Sequence, residues 1–175
     1  MDVSTNTSQL AILKSYHYKW LGAVLLIVLL DQISKGFAES WLLQGQPYPV
    51  MPSFNLTLWY NTGAAFSLLS EAGGWQRWFF IVVTVVVCGI LWSLLKKLKP
   101  GEPGAVMSAI GIVMIMGGAL GNIVDRLFRG AVVDFLDVYY RSYHWPTFNI
   151  ADIGITVGAL MIIVVALRDK APNMQ

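Results

Sequence analysis

Four apolar stretches, at 20–38, 75–95, 104–122 and 149–167, constrain this chain more than any other feature. A bilayer's hydrocarbon core is about 30 Å thick and takes about 20 residues of helix to cross, so each stretch is long enough to span it. Composition agrees, because 56% of the 175 residues are hydrophobic and 13% are charged, which argues against a soluble domain. The chain reads as one integral-membrane domain over 1–175. Its formal net charge of +2 leaves no electrostatic footprint for nucleic acid. The single cysteine, Cys88, lies in an apolar run and cannot form an intrachain disulfide, and two histidines, His17 and His144, are too few for a histidine-rich metal site. The first stretch also resembles a secretory signal peptide, since Lys14 and Lys19 precede it and Gly36-Phe37-Ala38 offers a weak cleavage site. Against that, Asp31 and Lys35 interrupt it four residues apart, as an acid-then-base pair on one helical face.

Basic residues assign the two sides. Lys14 and Lys19 precede the first span, Lys96, Lys97 and Lys99 separate the second and third, and Arg168 and Lys170 follow the fourth. With Asp2, Glu102 and Asp169 those segments carry +4, seven basic residues against three acidic, while the remainder carries −2, five basic against seven acidic. The positive-inside rule puts both termini in the cytoplasm. Any chemistry then belongs to the outward, acidic side, where two long connections lie, 39–74 and 123–148. The first holds Pro47, Pro49 and Pro52, then alternates Phe54-Asn55-Leu56-Thr57-Leu58, the pattern of a short amphipathic strand on the membrane surface or over a groove. Trp41, Trp59, Trp75, Trp78 and Trp145 fit an interfacial aromatic belt, whose role need be no more than anchoring.

Ionisable groups at membrane depth cost about 3 kcal/mol, so they tend to be paired, to face protein and to mark function. Asp31, Lys35, Asn61, Asn122, Asp125, Arg126, Asp134, Asn149 and Asp152 all fall at or near the outer end of a span or in the adjoining outward connections. Gly117 and Gly121 have the spacing that lets a neighbouring helix approach closely. Asn122, Asp125 and Arg126 then follow on one helical face, and for the last two a capping and ion-pair cluster explains the residues as well as a functional role does. Asp134 sits in the apolar run Val132-Val133-Asp134-Phe135-Leu136 with no basic neighbour nearer in sequence than Arg129. Asp152 sits in the first turn of the fourth span, where a helix N-terminus favours a carboxylate, and Asn149 is placed to cap that helix.

If the end of the third span and the start of the fourth are adjacent, Asp134 and Asp152 converge. Two carboxyls in a water-poor site share one proton. The ionised partner can then take a proton from water attacking a peptide carbonyl, while the protonated one serves the developing oxyanion. Spacing alone does not establish that convergence. Other hydrolytic devices are missing from the sequence, which has no paired-histidine metal motif and no GxSxG elbow. Ser34 and Lys35, as helical neighbours, diverge by about 100° and make a poor nucleophile–base pair. Asp31, Asp125, Asp134, Asp137 and Asp152 offer carboxylates for a divalent cation but lack the tight spacing of known loops.

Five blocks carry a family resemblance: Asp31-Gln32-Ile33-Ser34-Lys35; Asn61-Thr62-Gly63-Ala64-Ala65-Phe66-Ser67; Gly117-Gly118-Ala119-Leu120-Gly121-Asn122 into Asp125-Arg126; Val132-Val133-Asp134-Phe135; and Phe148-Asn149-Ile150-Ala151-Asp152. In order and spacing the chain resembles the bacterial lipoprotein signal peptidase family, also called signal peptidase II. The resemblance implies a mainly α membrane protein, with four transmembrane helices, a small extracytoplasmic β-platform and a loop or helix over the site. It implies an aspartic endopeptidase, multi-pass in the bacterial inner membrane with its active site on the periplasmic side. That enzyme cuts diacylglyceryl-modified prolipoproteins just before the lipidated cysteine. By motif the catalytic dyad falls on Asp134 and Asp152. Asn61, Asn122, Arg126 and Asn149 line or order the site, Asp125 is a supporting residue, and Asp31 and Lys35 support it from the first span. Gly63 suits a backbone-permissive position next to substrate, although a simple turn explains it as well. No metal or cofactor is implied, membrane lipid and prolipoprotein are the expected partners, and a monomer is expected. One departure is Ile153, where the family often has a small hydroxyl residue or alanine. Residues 1–19 lie outside the motifs. A small proton-coupled transporter or channel subunit is the competing reading, weakened by the lack of charge at mid-bilayer, and an assembly factor resting on the glycine faces is the third.

Overall fold

The computed structural model describes residues 3–63 and 74–170, with side chains described over 18–63 and 74–168. In chain order the elements are helix α1 (Val3–Trp41), strands β1 (Tyr48–Met51) and β2 (Phe54–Asn61), helices α2 (Trp75–Lys97) and α3 (Ala105–Phe128), strands β3 (Val132–Tyr140) and β4 (Tyr143–His144), and helix α4 (Ile150–Lys170). Four segments are long and apolar enough to cross a membrane: Tyr18–Trp41, Trp75–Lys97, Ala105–Phe128 and Ile150–Arg168. Each expected stretch overlaps one of these segments, with bounds that differ: α1 runs on to Trp41, so the first outward connection begins at Leu42 rather than at 39. The third helix continues past Asn122 to Phe128, so the second outward connection begins at Arg129 rather than at 123. The extra turns persist because Asn122 and Asp125 find buried partners on other elements. The helix ends where Gly130, at φ 83°, lets the chain reverse and its amide reach the Asp125 carbonyl.

The sheet is antiparallel in the order β1-β2-β3-β4. The alternation at 54–58 is indeed a strand, but it runs on to Asn61 and pairs with β3, setting Trp59 opposite Asp134 and Asn61 opposite Val132. The β-branched Val132-Val133 pair thus belongs to a strand inside a connection that the hydropathy pattern leaves unstructured. Residues 64–73, which include Ala64–Ser67 of the second motif and the stretch available for a loop or helix over the site, lie outside the described residues.

Helix α3 is the centre against which the other three pack. Between apolar helices in lipid, association rests on close packing rather than on a hydrophobic drive, and small residues permit it. A Cβ on Gly117 would lie 2.7 Å from the Ile27 side chain of α1, and one on Gly121 2.5 Å from Asp31 Oδ2. On a neighbouring face a Cβ on Gly111 would lie 2.8 Å from the Gly158 carbonyl oxygen of α4, and one on Gly118 would collide with the Ala151 carbonyl. The glycines therefore serve two helix interfaces at once. Val24, Leu91, Leu95, Ala109, Ile112, Val113 and Met116 form the apolar core, with the Cys88 thiol buried beside them. Leu25, Leu29, Val82, Val86, Leu160 and Ile163 are exposed on the outside of the bundle, as a lipid-facing surface requires, and the five tryptophans of the expected belt are exposed too. The sheet covers the bundle end where α1 and α3 finish and α2 and α4 start, opposite the Lys96–Lys99 turn.

Candidate active site

Asp134 and Asp152 reach the same place from different elements. Asp134 points inward from β3 and is 2% exposed, and Asp152 occupies the first turn of α4. Asn149 joins them. Its side-chain Nδ2 donates to Asp134 Oδ1 at 2.7 Å, its Oδ1 accepts the Asp152 backbone N–H at 3.0 Å, and its own backbone N–H donates to Asp152 Oδ2 at 3.2 Å. The last two bonds are a reciprocal N-terminal cap, so the cap read from the sequence is present and Asp152 completes it. Asn61 Nδ2 donates to Asp134 Oδ2 at 3.1 Å, and Asn122 Nδ2 donates to Asp152 Oδ1 at 3.0 Å. Burial, and then the Asp152 charge nearby, push the Asp134 carboxyl up from 3.8 to about 7, against the two asparagine donors that pull it down.

Beneath this pair lies a second layer of charge. Lys35 is fully buried, with Nζ 2.8 Å from Asp31 Oδ2 and 2.6 Å from Asp125 Oδ2, and it donates to Asn122 Oδ1 at 2.9 Å. The two carboxylates pass this anchoring outward. Asp125 Oδ2 accepts the Val133 backbone N–H at 3.2 Å, and Asp31 Oδ1 accepts the Ala151 backbone N–H at 3.1 Å. Each therefore holds the main chain one residue before one of the two upper aspartates. The expected acid-then-base pair in the first span exists, but it is one half of a triad that reaches α3.

Arg126 makes no ion pair with its neighbour Asp125. Its Nη2 donates to the Gly63 carbonyl at 3.1 Å, its guanidinium lies 5.0 Å from the centre of the Phe80 ring, and it is close enough to Asp134 and Asp152 to feel both charges. Its Nε is buried without a hydrogen-bond partner among the described residues. Gly63 is tied back by its N–H to Asn61 Oδ1 at 3.0 Å. The Ser34 hydroxyl donates to the Asp31 carbonyl of its own helix at 2.7 Å and does not meet Lys35.

The five carboxylates weighed as cation ligands fall into separate groups. Asp31 and Asp125 surround Lys35, Asp134 and Asp152 form the upper pair, and Asp137 lies apart with Asn55, Thr57 and His144. For Asp137, burial works to raise the carboxyl, but the hydrogen bonds from His144, Asn55 and Thr57 outweigh it and hold the group below its ordinary value. Among the described residues no cluster of three or more His, Cys, Asp or Glu is placed to hold a metal ion. The residues that sequence reading passes over are Gln32 and Arg129. Gln32 Nε2 donates to Asp125 Oδ1 at 2.9 Å and to the Gly121 carbonyl at 3.1 Å, and Arg129 Nη1 lies 2.9 Å from Asp125 Oδ1. The i, i+4 spacing of Asp125 and Arg129 was the available signal.

A family model described as signal peptidase (SPase) II matches residues 23–168. The lipoprotein signal peptidase of Cupriavidus necator is 48% identical over 150 residues, covering 85% of this chain and 83% of that protein. That of Teredinibacter turnerae is 45% identical over 145 residues, covering 83% and 84%. Among solved structures, a bacterial membrane enzyme determined by the in meso method at 2.3 Å resolution superposes with a TM-score of 0.77 at 29% identity, over 90% of this chain and 92% of the other. A second, at 1.9 Å resolution, gives a TM-score of 0.72 at 30% identity, over 86% and 94%.

Proposed function

The chain belongs to the signal peptidase II family and is a multi-pass membrane protease, and we propose that Asp134 and Asp152 are its catalytic dyad, acting on diacylglyceryl-modified prolipoproteins just before the lipidated cysteine. The observation that carries this reading is the convergence of two carboxyls on one asparagine, with Asp134 pushed up to about 7 beside a second acid. Groups tuned towards neutrality by burial and by a like charge are the usual signature of acid–base work. Asp134 holds the shared proton and Asp152 is the base. Asp152 takes a proton from a water molecule whose oxygen bonds to the scissile carbonyl carbon, while the Asp134 proton passes to the carbonyl oxygen. The resulting gem-diol collapses as Asp152 returns its proton to the leaving nitrogen, the C–N bond breaks, and Asp134 recovers a proton from a hydroxyl. Water is consumed, and a carboxyl and an amine are formed, with no metal or cofactor in the balance.

The surrounding residues fit supporting parts. Asn61, Asn122 and Asn149 aim the two carboxyls, and Arg126, with its bond to Gly63 and an Nε that has no partner among the described residues, is placed to receive a substrate carbonyl. Asp31, Lys35 and Asp125 fix the main chain beneath. A precursor anchored by a signal helix and two acyl chains presents its cleavage site at the membrane surface, which matches a pair set where the spans meet the sheet. We place that surface on the periplasmic side of the inner membrane, with both termini cytoplasmic, from the +4 against −2 charge balance, and the working unit is a monomer.

A pH profile tests the assignment of the proton. The reaction needs Asp134 protonated, and its carboxyl is protonated below about 7 and ionised above. Cleavage measured as kcat/KM should therefore fall on the alkaline side, about tenfold per pH unit once the group is ionised. A rate that keeps rising from pH 6 to 9 would be the opposite of what a proton on Asp134 demands.

A further inference from the structure

Arg129 takes no part in the reaction just described, yet its guanidinium joins three elements at the outer end of the bundle. Nη1 donates to Gln32 Oε1 at 2.8 Å and to Asp125 Oδ1 at 2.9 Å. Nε and Nη2 both reach Glu39 Oε2, at 3.0 and 2.9 Å. The other oxygen of Glu39 accepts the Tyr60 hydroxyl at 3.2 Å. Tyr60 lies in β2 immediately before Asn61, the residue that donates to Asp134. Two routes thus leave one guanidinium, one ending on the Asp134 carboxyl and the other on the main chain next to it. One runs through Glu39, Tyr60 and Asn61 to Asp134 itself, and the other runs through Asp125 to the Val133 amide beside it.

We infer that Arg129 is a positioning residue: through Glu39 and Tyr60 it keeps Asn61 on Asp134, and through Asp125 it fixes the strand that carries Asp134. The fork of the guanidinium is what the role needs, because its donors diverge in one plane towards Glu39, Gln32 and Asp125 together, which an ammonium on a flexible stem cannot reproduce. A stabilising salt bridge would be a poor account of the Glu39 arm, as distinct from the arm that reaches the buried Asp125. The Arg129 and Glu39 side chains are 24% and 26% exposed, and ion pairs open to solvent contribute little to folding. Their contacts instead lead to Tyr60, beside the Asn61 that donates to Asp134, and to Asp125, which holds the Val133 amide that precedes Asp134. The inference rests on the reading of Asp134 as a reacting group only for its effect on rate, since the positioning itself concerns the Asn61–Asp134 contact.

The consequence is read on the Asp134 proton. Asn61 donates to the ionised form, so a drifting Asn61 leaves the proton held to higher pH. Tyr60→Phe and Arg129→Lys both preserve net charge, which removes a trivial electrostatic shift. In the full chain in detergent, the Asp134 carboxyl stretch is titrated by infrared difference spectroscopy, assigned by its loss in Asp134→Asn, and kcat and KM are measured on a lipidated prolipoprotein. Both variants should raise the titration midpoint by about half a pH unit. They should lower kcat by about threefold to tenfold with KM changed less than about twofold, the pattern of misplaced reacting groups. The Arg129→Lys and Glu39→Gln effects should not add in the double variant, since both break one relay. A midpoint unmoved in Tyr60→Phe and Arg129→Lys overturns the inference, even where rate and thermal stability fall together, because that is what a purely structural residue does. If the midpoint moves while the wild type cleaves no prolipoprotein, the positioning stands and the peptidase reading falls.

Discussion

Asp134→Asn and Asp152→Asn should each lower turnover of a lipidated prolipoprotein by about a thousandfold, within the range that a proton-transferring group contributes to catalysis. The two losses should not multiply in the double variant, because a dyad that passes one proton back and forth works as a unit. Neither replacement should unfold the protein. An asparagine at 134 keeps the shape and one acceptor oxygen for Asn149 or Asn61, and it removes a group whose ionised form is disfavoured by burial and by Asp152. The sign for stability follows from linkage. The folded-state carboxyl titrates near 7, above its ordinary 3.8, so the folded protein binds the proton more tightly than the unfolded chain does. Stability fully present below about 4 is therefore lost as pH rises from there through about 7, and above that point the wild type should melt earlier than Asp134→Asn by a steady margin. Thermal melts in detergent at pH 5.5 and 8.5 check this, with the two proteins closest at the lower pH.

Lys35→Met should cost nearly as much activity by a different route. Methionine fills the volume but leaves Asp31 and Asp125 facing each other, both fully buried, with no cation between them. Removing one partner of a buried ion pair typically costs about 3–5 kcal/mol, because the remaining charge is uncompensated. Here the loss spreads upward, since the same carboxylates hold the Val133 and Ala151 amides, and Lys35 orients the Asn122 amide that serves Asp152. The expected result is a fall in cleavage of about a hundredfold or more, with a marked drop in melting temperature. Adding Asp31→Asn to Lys35→Met should recover part of the melting temperature by removing one stranded charge, but little of the activity. Near-normal cleavage by Lys35→Met alone would show that the buried triad does not set the geometry of the upper pair.

Much of this architecture is legible in the residues. Spans follow from runs of apolar residues of bilayer length, and the sheet's second strand follows from the alternation at Phe54–Leu58, because both signals are local. Asp134 and Asp152 stand out because an acid in an apolar, β-branched run and an acid at a helix start are unusual settings, and Asn149 is recognisable as the cap three residues before Asp152. What escapes are the contacts made across the fold. Asp31 and Lys35 announce themselves at i, i+4, but nothing in their spacing shows that Lys35 also meets Asp125, ninety positions away, at 2.6 Å. The end of α3 escapes for the same reason. The run of apolar residues stops near Asn122, whereas the helix continues to Phe128 because Lys35, Gln32 and Arg129 satisfy Asp125 in place of water. Strand β3 is hidden in a connection because its pairing partner lies on the far side of α2 and α3 in sequence.

The most direct test of the central claim is to incubate the purified protein, without added metal, with a diacylglyceryl-modified prolipoprotein and with its unmodified form, and to weigh the products by intact-mass spectrometry. The account predicts a single cut in the modified precursor, immediately before the lipidated cysteine, no cut in the unmodified one, and no product from Asp134→Asn or Asp152→Asn that melts like the wild type at acid pH. Equal cutting of both precursors, a cut at another position, or near-normal product from either folded variant would contradict it.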